Sequence, residues 1–251
     1  MIKLQKHLKL FLIIIFSYHL SSEHPDRILF VGNSYLYYND SVHNHVEKLL
    51  IEHYSDKDIV TKSATIGGSK LHNHNLDHLL NYKNLQLDKP LNLLILQGGS
   101  TEVKSEKSRK KFLETTVRFS NKAKRLGIKT ALYMTHAYLD IDKRYEPYLI
   151  EKIKKTYYDA GKASDSLVIP VGLAYEIAYK ENTKIRLHHP DGTHPGLLGT
   201  YLAACTVFSV ITNSSPEGLS YNYLKRISDE DRLFLQKIAW RAYLMNKELF
   251  Q

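Results

Sequence analysis

"RILFVGNS" (Arg27–Ser34) runs through four apolar residues without a break and ends on a glycine, an asparagine and a serine. A strand with one wet face would alternate. An unbroken apolar run is what a strand covered on both faces requires. With "RILFV" (27–31), short β-branched or apolar runs appear at "DIVTKSA" (58–64), "LNLLILQ" (91–97), "IKTALYMT" (128–135) and "SLVIPV" (166–171). Amphipathic stretches of helical length separate them, at roughly 41–54, 70–81, 104–126, 145–162 and 172–180. Two more, roughly 196–212 and 228–249, close the chain. Strand–helix alternation of this sort predicts right-handed crossovers and an α/β fold with a parallel sheet of about five strands.

The 251 residues, 43% hydrophobic and 24% charged, suit one large domain with a substantial core and argue against disorder. No internal repeat, low-complexity segment or Pro/Gly/Ser-rich linker divides the chain. The formal charge is +9, and Lys3, Lys6 and Lys9 supply part of it at the N-terminus. The other positives are interspersed with acids along helical segments. That pattern reads as a solvated basic surface rather than a nucleic-acid site, and leaves open a weak attraction to anionic polymers or membrane surfaces.

The first residues stand apart. Basic "MIKLQKHLK" precedes apolar "LFLIIIFSYHL", and polar "SSEHPDR" follows. The apolar core is shorter than the ~20 residues of a spanning helix and fits an export signal over residues 1–22. An uncleaved N-terminal anchor is the alternative. Cys205 is the only cysteine, so no internal disulfide forms. In apolar "YLAACTVFSVI" it reads as an inert core residue.

In an open parallel sheet, ligands bind beyond the carboxyl ends of the strands. The segments after the strands are "GNSYLYYND", "TIGGSKLHNH", "QGGST" and "HAYLD", and "HHPDGTHP" precedes the helix at 196. Ser34, directly after the first strand, is placed as a nucleophile, and a serine needs a base. His194 is the candidate base. Asp191, three residues earlier, can hold the other imidazole nitrogen and fix its tautomer, so one turn of "DGTHPGLLGTYLAA" (191–204) carries base and orienter together. The N–H groups of Ser34 and Gly68 with the Gln97 side-chain amide make a candidate three-donor oxyanion hole.

"ILFVGNSYLYYND", "SATIGGSKL" and "DGTHPGLLGTYLAA" resemble, in order, the first, second and last blocks of the SGNH (GDSL-type) hydrolases. The resemblance spans about 27–212. It implies a three-layer α/β/α sandwich with a flavodoxin-like sheet over a domain at 23–251. It places Ser34 as nucleophile, Gly68 as oxyanion glycine, and Asp191 and His194 as the other two triad members. The third block departs from the family's Gly-x-Asn-Asp. "LQGGST" is similar to the Gln-Gly-Glu variant of acetylesterases acting on carbohydrates, which puts Gln97 in the donor role, with Ser100 as the other choice.

His43 with His45, and His72, His74 and His78, raise a metal site, with His74 and His78 spaced i,i+4 on the helix expected over 70–81. No H-E-x-x-H arrangement accompanies them, and no metal or cofactor is expected. Tyr35 and Tyr37 are the candidate substrate contacts. The expectation is an exported serine esterase acting on a small ester or acylated carbohydrate, acetyl above all. The alternatives are a non-catalytic carbohydrate-binding protein on the same fold and a lipid acylhydrolase.

Overall fold

A computed structural model describes residues 24–248; the export signal expected over 1–22 lies outside them. Five strands, β1 (Arg27–Gly32), β2 (Val60–Thr65), β3 (Leu93–Gln97), β4 (Lys129–Tyr133) and β5 (Leu167–Ile169), form one sheet in the order β2-β1-β3-β4-β5. Every neighbouring pair is parallel. This is the flavodoxin-like order, whose switch point lies between β1 and β3.

The apolar runs are explained by what covers them. Ile28, Phe30, Leu93, Ile95, Ala131 and Tyr133 point into one core. There they meet α2 (Val42–His53), α6 (Val171–Glu181), α7 (Leu197–Thr212) and α8 (Asp229–Glu248). Their neighbours Leu29, Val31, Leu94, Leu96 and Leu132 point into the other. That face is covered by α4 (Glu106–Arg125) and α5 (Leu149–Ser164). Two dry faces over β1 and β3 remove any reason for alternation there, whereas edge strand β2 is half-buried along most of its length. Cys205 is fully buried in the first core, and burial pushes its thiol pKa up, as an inert packing residue requires.

The helix expected over 70–81 does not form. A 3₁₀ turn (Leu71–Asn73), a one-turn helix α3 (Leu76–Leu79) and a second 3₁₀ turn (Tyr82–Leu85) stand there. Asparagine side chains break it. Asn73 accepts from the Lys70 N–H, Asn75 from His78 and Asn81 from Lys83. Each offers the backbone a local partner in place of the helical one. His74 and His78 therefore sit on different elements, and the shared helical face that raised a metal site is absent.

Register aligns the strand ends. Gly32 pairs with Thr65, Gln97 with Tyr133 and Tyr133 with Ile169. The loops that follow thus emerge along one edge, where α1 (Ser34–Tyr37) also begins.

Candidate active site

Gly32 ends β1 beneath the site. A Cβ there would collide with the Gln97 and Leu36 side chains. Asn33 comes next in extended conformation and acts as a clasp. Its Oδ1 caps α1 by accepting from the Tyr35 N–H (3.1 Å), and its Nδ2 donates to the Ser69 carbonyl (3.0 Å). The Ile66 N–H donates to the Gly32 carbonyl (3.1 Å). The second loop is thereby pinned beside Ser34, the first residue of α1. Gly68 in that loop has φ +67°, a conformation that favours glycine, with open space where a Cβ would stand.

The last loop is a tight turn. Asp191 Oδ1 accepts from the N–H groups of Thr193 and His194, both at 2.9 Å. Gly192 (φ +70°) permits the turn, and Ile141 occupies the space a side chain would need. The other carboxylate oxygen, Oδ2, lies 2.6 Å from His194 Nδ1. An ionised carboxylate only accepts, so Nδ1 carries the proton and the Nε2 lone pair faces outward. Nε2 lies 3.0 Å from Ser34 Oγ. Burial alone would push the Asp191 carboxyl pKa up. The hydrogen bonds from the His194 ring and from the Thr193 and His194 backbone outweigh it and hold the carboxyl well below its usual range. Structure thus brings Ser34, His194 and Asp191 into one hydrogen-bonded chain, the arrangement that serine acyl transfer needs.

Two expectations are corrected. Tyr35 is 2% exposed. It points inward, its hydroxyl 2.9 Å from Thr193 Oγ1 and its ring stacked on His136, so it supports the last loop and has no surface for substrate. Gln97 is also buried. Its Oε1 accepts from the Asn33 N–H (2.8 Å), and its Nε2 donates to the Gly98 carbonyl. Both polar atoms bond the backbone under the nucleophile turn, and at 1% exposure the amide presents no surface to an oxyanion. Ser100, the other choice, is half-buried beside Tyr35 and Tyr138. Tyr37 remains available, 44% exposed, its hydroxyl beside Gly67.

Two residues not singled out from sequence complete the surroundings. Tyr38 stacks face to face on His194 (centroids 4.3 Å apart, planes at 6°). His136, just past β4, lies between the rings of Tyr35 and Tyr175, with Nε2 2.8 Å from the Thr193 carbonyl. Burial and the neighbouring His188 keep the His136 imidazole neutral, its pKa well below the ordinary value. Its position at the strand edge is the one signal the sequence carries; the partner is not visible there. Of the candidate metal-binding histidines, His45 bonds the Asn39 carbonyl and Tyr221, and His74 bonds Ser69. Among the described residues no group of three metal-ligating side chains comes together.

No family model matches the chain, and no curated protein does. Solved structures do. A DUF4886 family protein from Bacteroides uniformis superposes with a TM-score of 0.71 at 19% identity, over 87% of this chain and 94% of that one. A candidate SGNH hydrolase from Slackia heliotrinireducens gives 0.59 at 21%, over 74% and 98%. A catalytic mutant of an acetylxylan esterase from Geobacillus stearothermophilus, with a histidine replaced by alanine, gives 0.57 at 15%, over 74% and 94%. A second catalytic mutant of that enzyme has a serine replaced. At these identities the likeness establishes the fold: the chain has the α/β/α fold of the SGNH-type hydrolases.

Proposed function

We propose that the protein is an exported serine esterase that removes small acyl groups, acetyl above all, from carbohydrate. The observation that carries this reading is the chain Ser34 Oγ–His194 Nε2 (3.0 Å) and His194 Nδ1–Asp191 Oδ2 (2.6 Å). His194 takes the hydroxyl proton as Ser34 attacks the ester carbonyl, then delivers it to the leaving alcohol. Water, activated by the same imidazole, releases the acid and frees Ser34. The N–H of Ser34, with no carbonyl one helical turn back to bond, and the N–H of Gly68 are the oxyanion donors. Tyr38, stacked on the imidazole, favours the imidazolium formed during attack. The acetyl and carbohydrate assignment is supported by the acetylxylan esterase among the structural neighbours, in which a serine and a histidine are the catalytic positions mutated.

The commitment of Gln97 to the backbone favours a second reading, a carbohydrate-binding protein on this fold without turnover. Hydrolysis of p-nitrophenyl acetate and octanoate by wild type and Ser34→Ala separates the two. Acetate cleavage lost at least ~100-fold in the variant supports the esterase. Inertness of wild type on both esters and on acetylated xylan favours the binder, and a preference for octanoate moves the reading to a lipid acylhydrolase. Export is checked separately, by the N-terminal residue of the protein recovered outside the cytoplasm.

A further inference from the structure

Two residues past Gly68 the second loop enters a pocket of about 490 Å³ that has no part in the proton path. Lys70, His72, Glu102, Lys107, Lys110 and Lys111 line it. Lys110 and Lys111 stand three and four residues beyond Lys107 on α4, so the three share one helix face. Among the described residues none of the four lysines has an acidic partner within 4.0 Å, although Glu114 stands on the same wall. Like charges at this spacing work against a helix; Glu106 and Glu114, four residues either side of Lys110, offset part of that cost, and a bound anion would relieve the rest. His72 reports the local field: burial, then Lys111, Lys70 and Arg118, hold its imidazole pKa below the ordinary value.

Glu102 adds a second kind of group. It is 2% exposed, and its Oε2 accepts from the N–H groups of Gly99 (2.5 Å) and Leu71 (3.3 Å). Its Oε1 has no hydrogen-bond partner and lies 3.9 Å from His72 Nδ1, which has none either. Burial pushes the Glu102 carboxyl pKa up, a buried carboxyl oxygen without a partner is unfavourable, and a ligand hydroxyl, able to donate or to accept, would satisfy it. Ammonium groups for an anion beside a buried acceptor for a hydroxyl are the complement of an acidic sugar.

The geometry points to this pocket as a subsite for an acidic glycan, an acylated polysaccharide that bears a carboxylate or phosphate close to the esterified sugar. The assignment rests on the esterase reading and adds the charge of its substrate. Continuity with the site supports it. Lys70 lies at most ~7 Å of chain from Gly68, and Asn33, which precedes the nucleophile, holds the Ser69 carbonyl at 3.0 Å.

The test is calorimetric titration of the Ser34→Ala protein with de-esterified oligogalacturonate, a glycerol-phosphate oligomer and neutral xylo-oligosaccharide. One of the acidic oligomers is expected to bind, and which one identifies the group. Its affinity should fall about tenfold or more between 0.01 and 0.15 M salt, as the screening length contracts from ~30 to ~8 Å. Lys70→Ala/Lys107→Ala/Lys111→Ala should weaken it about 30-fold or more, by loss of complementary charge. The matched triple at the exposed Lys48, Lys83 and Lys180, none of which lines the pocket, should not. Thermal melting confirms that both triples fold, and Lys107→Glu alone replaces the first if it does not. Equal affinity for the neutral oligomer, equal affinity for duplex DNA, or indifference to the lysine changes would overturn the subsite. Turnover of p-nitrophenyl acetate by wild type is measured alongside. An active enzyme that binds no acidic oligomer loses the subsite alone; an inert one that binds it loses the esterase reading and keeps the anion site.

Discussion

At its N-terminal end β1 starts with Arg27, and just past its C-terminal end stands Ser34. The Arg27 side chain is 1% exposed. Its Nε donates to Asp88 (3.0 Å), a second donor reaches Asp58, and Asp26 lies 3.7 Å away. Three carboxylates hold one guanidinium, and the two that bond it are largely open to solvent. Ser34 has one side-chain partner, His194, at 3.0 Å. The strand is thus anchored by redundant pairing at one end and left minimally satisfied at the other. Redundancy fixes position. On the proposed esterase reading Ser34 must give up its proton and needs one partner able to take it, and Asp191 and Tyr38 hold that partner in place.

The comparison breaks if the two ends respond alike. Ser34→Ala should lower kcat on p-nitrophenyl acetate by on the order of 10⁴-fold, with the melting temperature unchanged; a variant of undiminished rate would remove Ser34 from the mechanism. Asp191→Asn should cost up to on the order of 10⁴-fold. The asparagine keeps the Oδ1 that accepts from Thr193 and His194 and changes only what faces Nδ1, so the ring loses its required tautomer while the turn survives. Arg27→Met should act in the opposite sense, lowering the melting temperature by about 5–10 °C while kcat of the folded protein holds.

Gln97→Met sharpens the contrast at the upper end. As a backbone support it should destabilise the fold by about 1–3 kcal/mol, because the buried Asn33 N–H loses its acceptor. An oxyanion donor would instead lose kcat on the order of 10²-fold or more with no change in melting. Acid stability responds only to pH. His136 is neutral in the folded protein and protonates near pH 6.5 once unfolded. Below that pH the unfolded chain binds the extra proton, so stability falls on acidification by up to ~1.4 kcal/mol per pH unit from this group. The loss continues until the lowered folded pKa is reached. His136→Phe should flatten the melting-temperature profile between pH 7 and 5; an unchanged slope would mean that His136 titrates normally.

Much of the fold and of the site is legible in the sequence. The unbroken apolar runs announce a doubly covered sheet because period-two alternation disappears when both faces are dry. The Asp191–His194 turn is legible because its geometry is local: only two residues stand between the candidate base and its candidate orienter, and one of them is a glycine that allows the bend. The segment after Lys70 misleads because apolar Leu71, Leu76, Leu79 and Leu80 mimic a helical face, while three asparagines bind the backbone more locally than that pattern registers. Tyr35 and Gln97 mislead for a different reason. Their residue types suit the expected roles, but nothing in the neighbouring sequence says that the aromatic ring turns inward onto His136 or that the amide is spent on Asn33.

The sequence by itself determined the layers and the edge of the sheet along which the loops gather, and it singled out Ser34, Asp191 and His194 as candidates, because periodicity and turn chemistry act within a few residues. Only the tertiary structure decided what surrounds them: Tyr38 over the imidazole, His136 behind Thr193, and the lysines of α4 beside the loop of Gly68. Those contacts join segments tens of residues apart, and they exist only once both faces of the sheet have been packed.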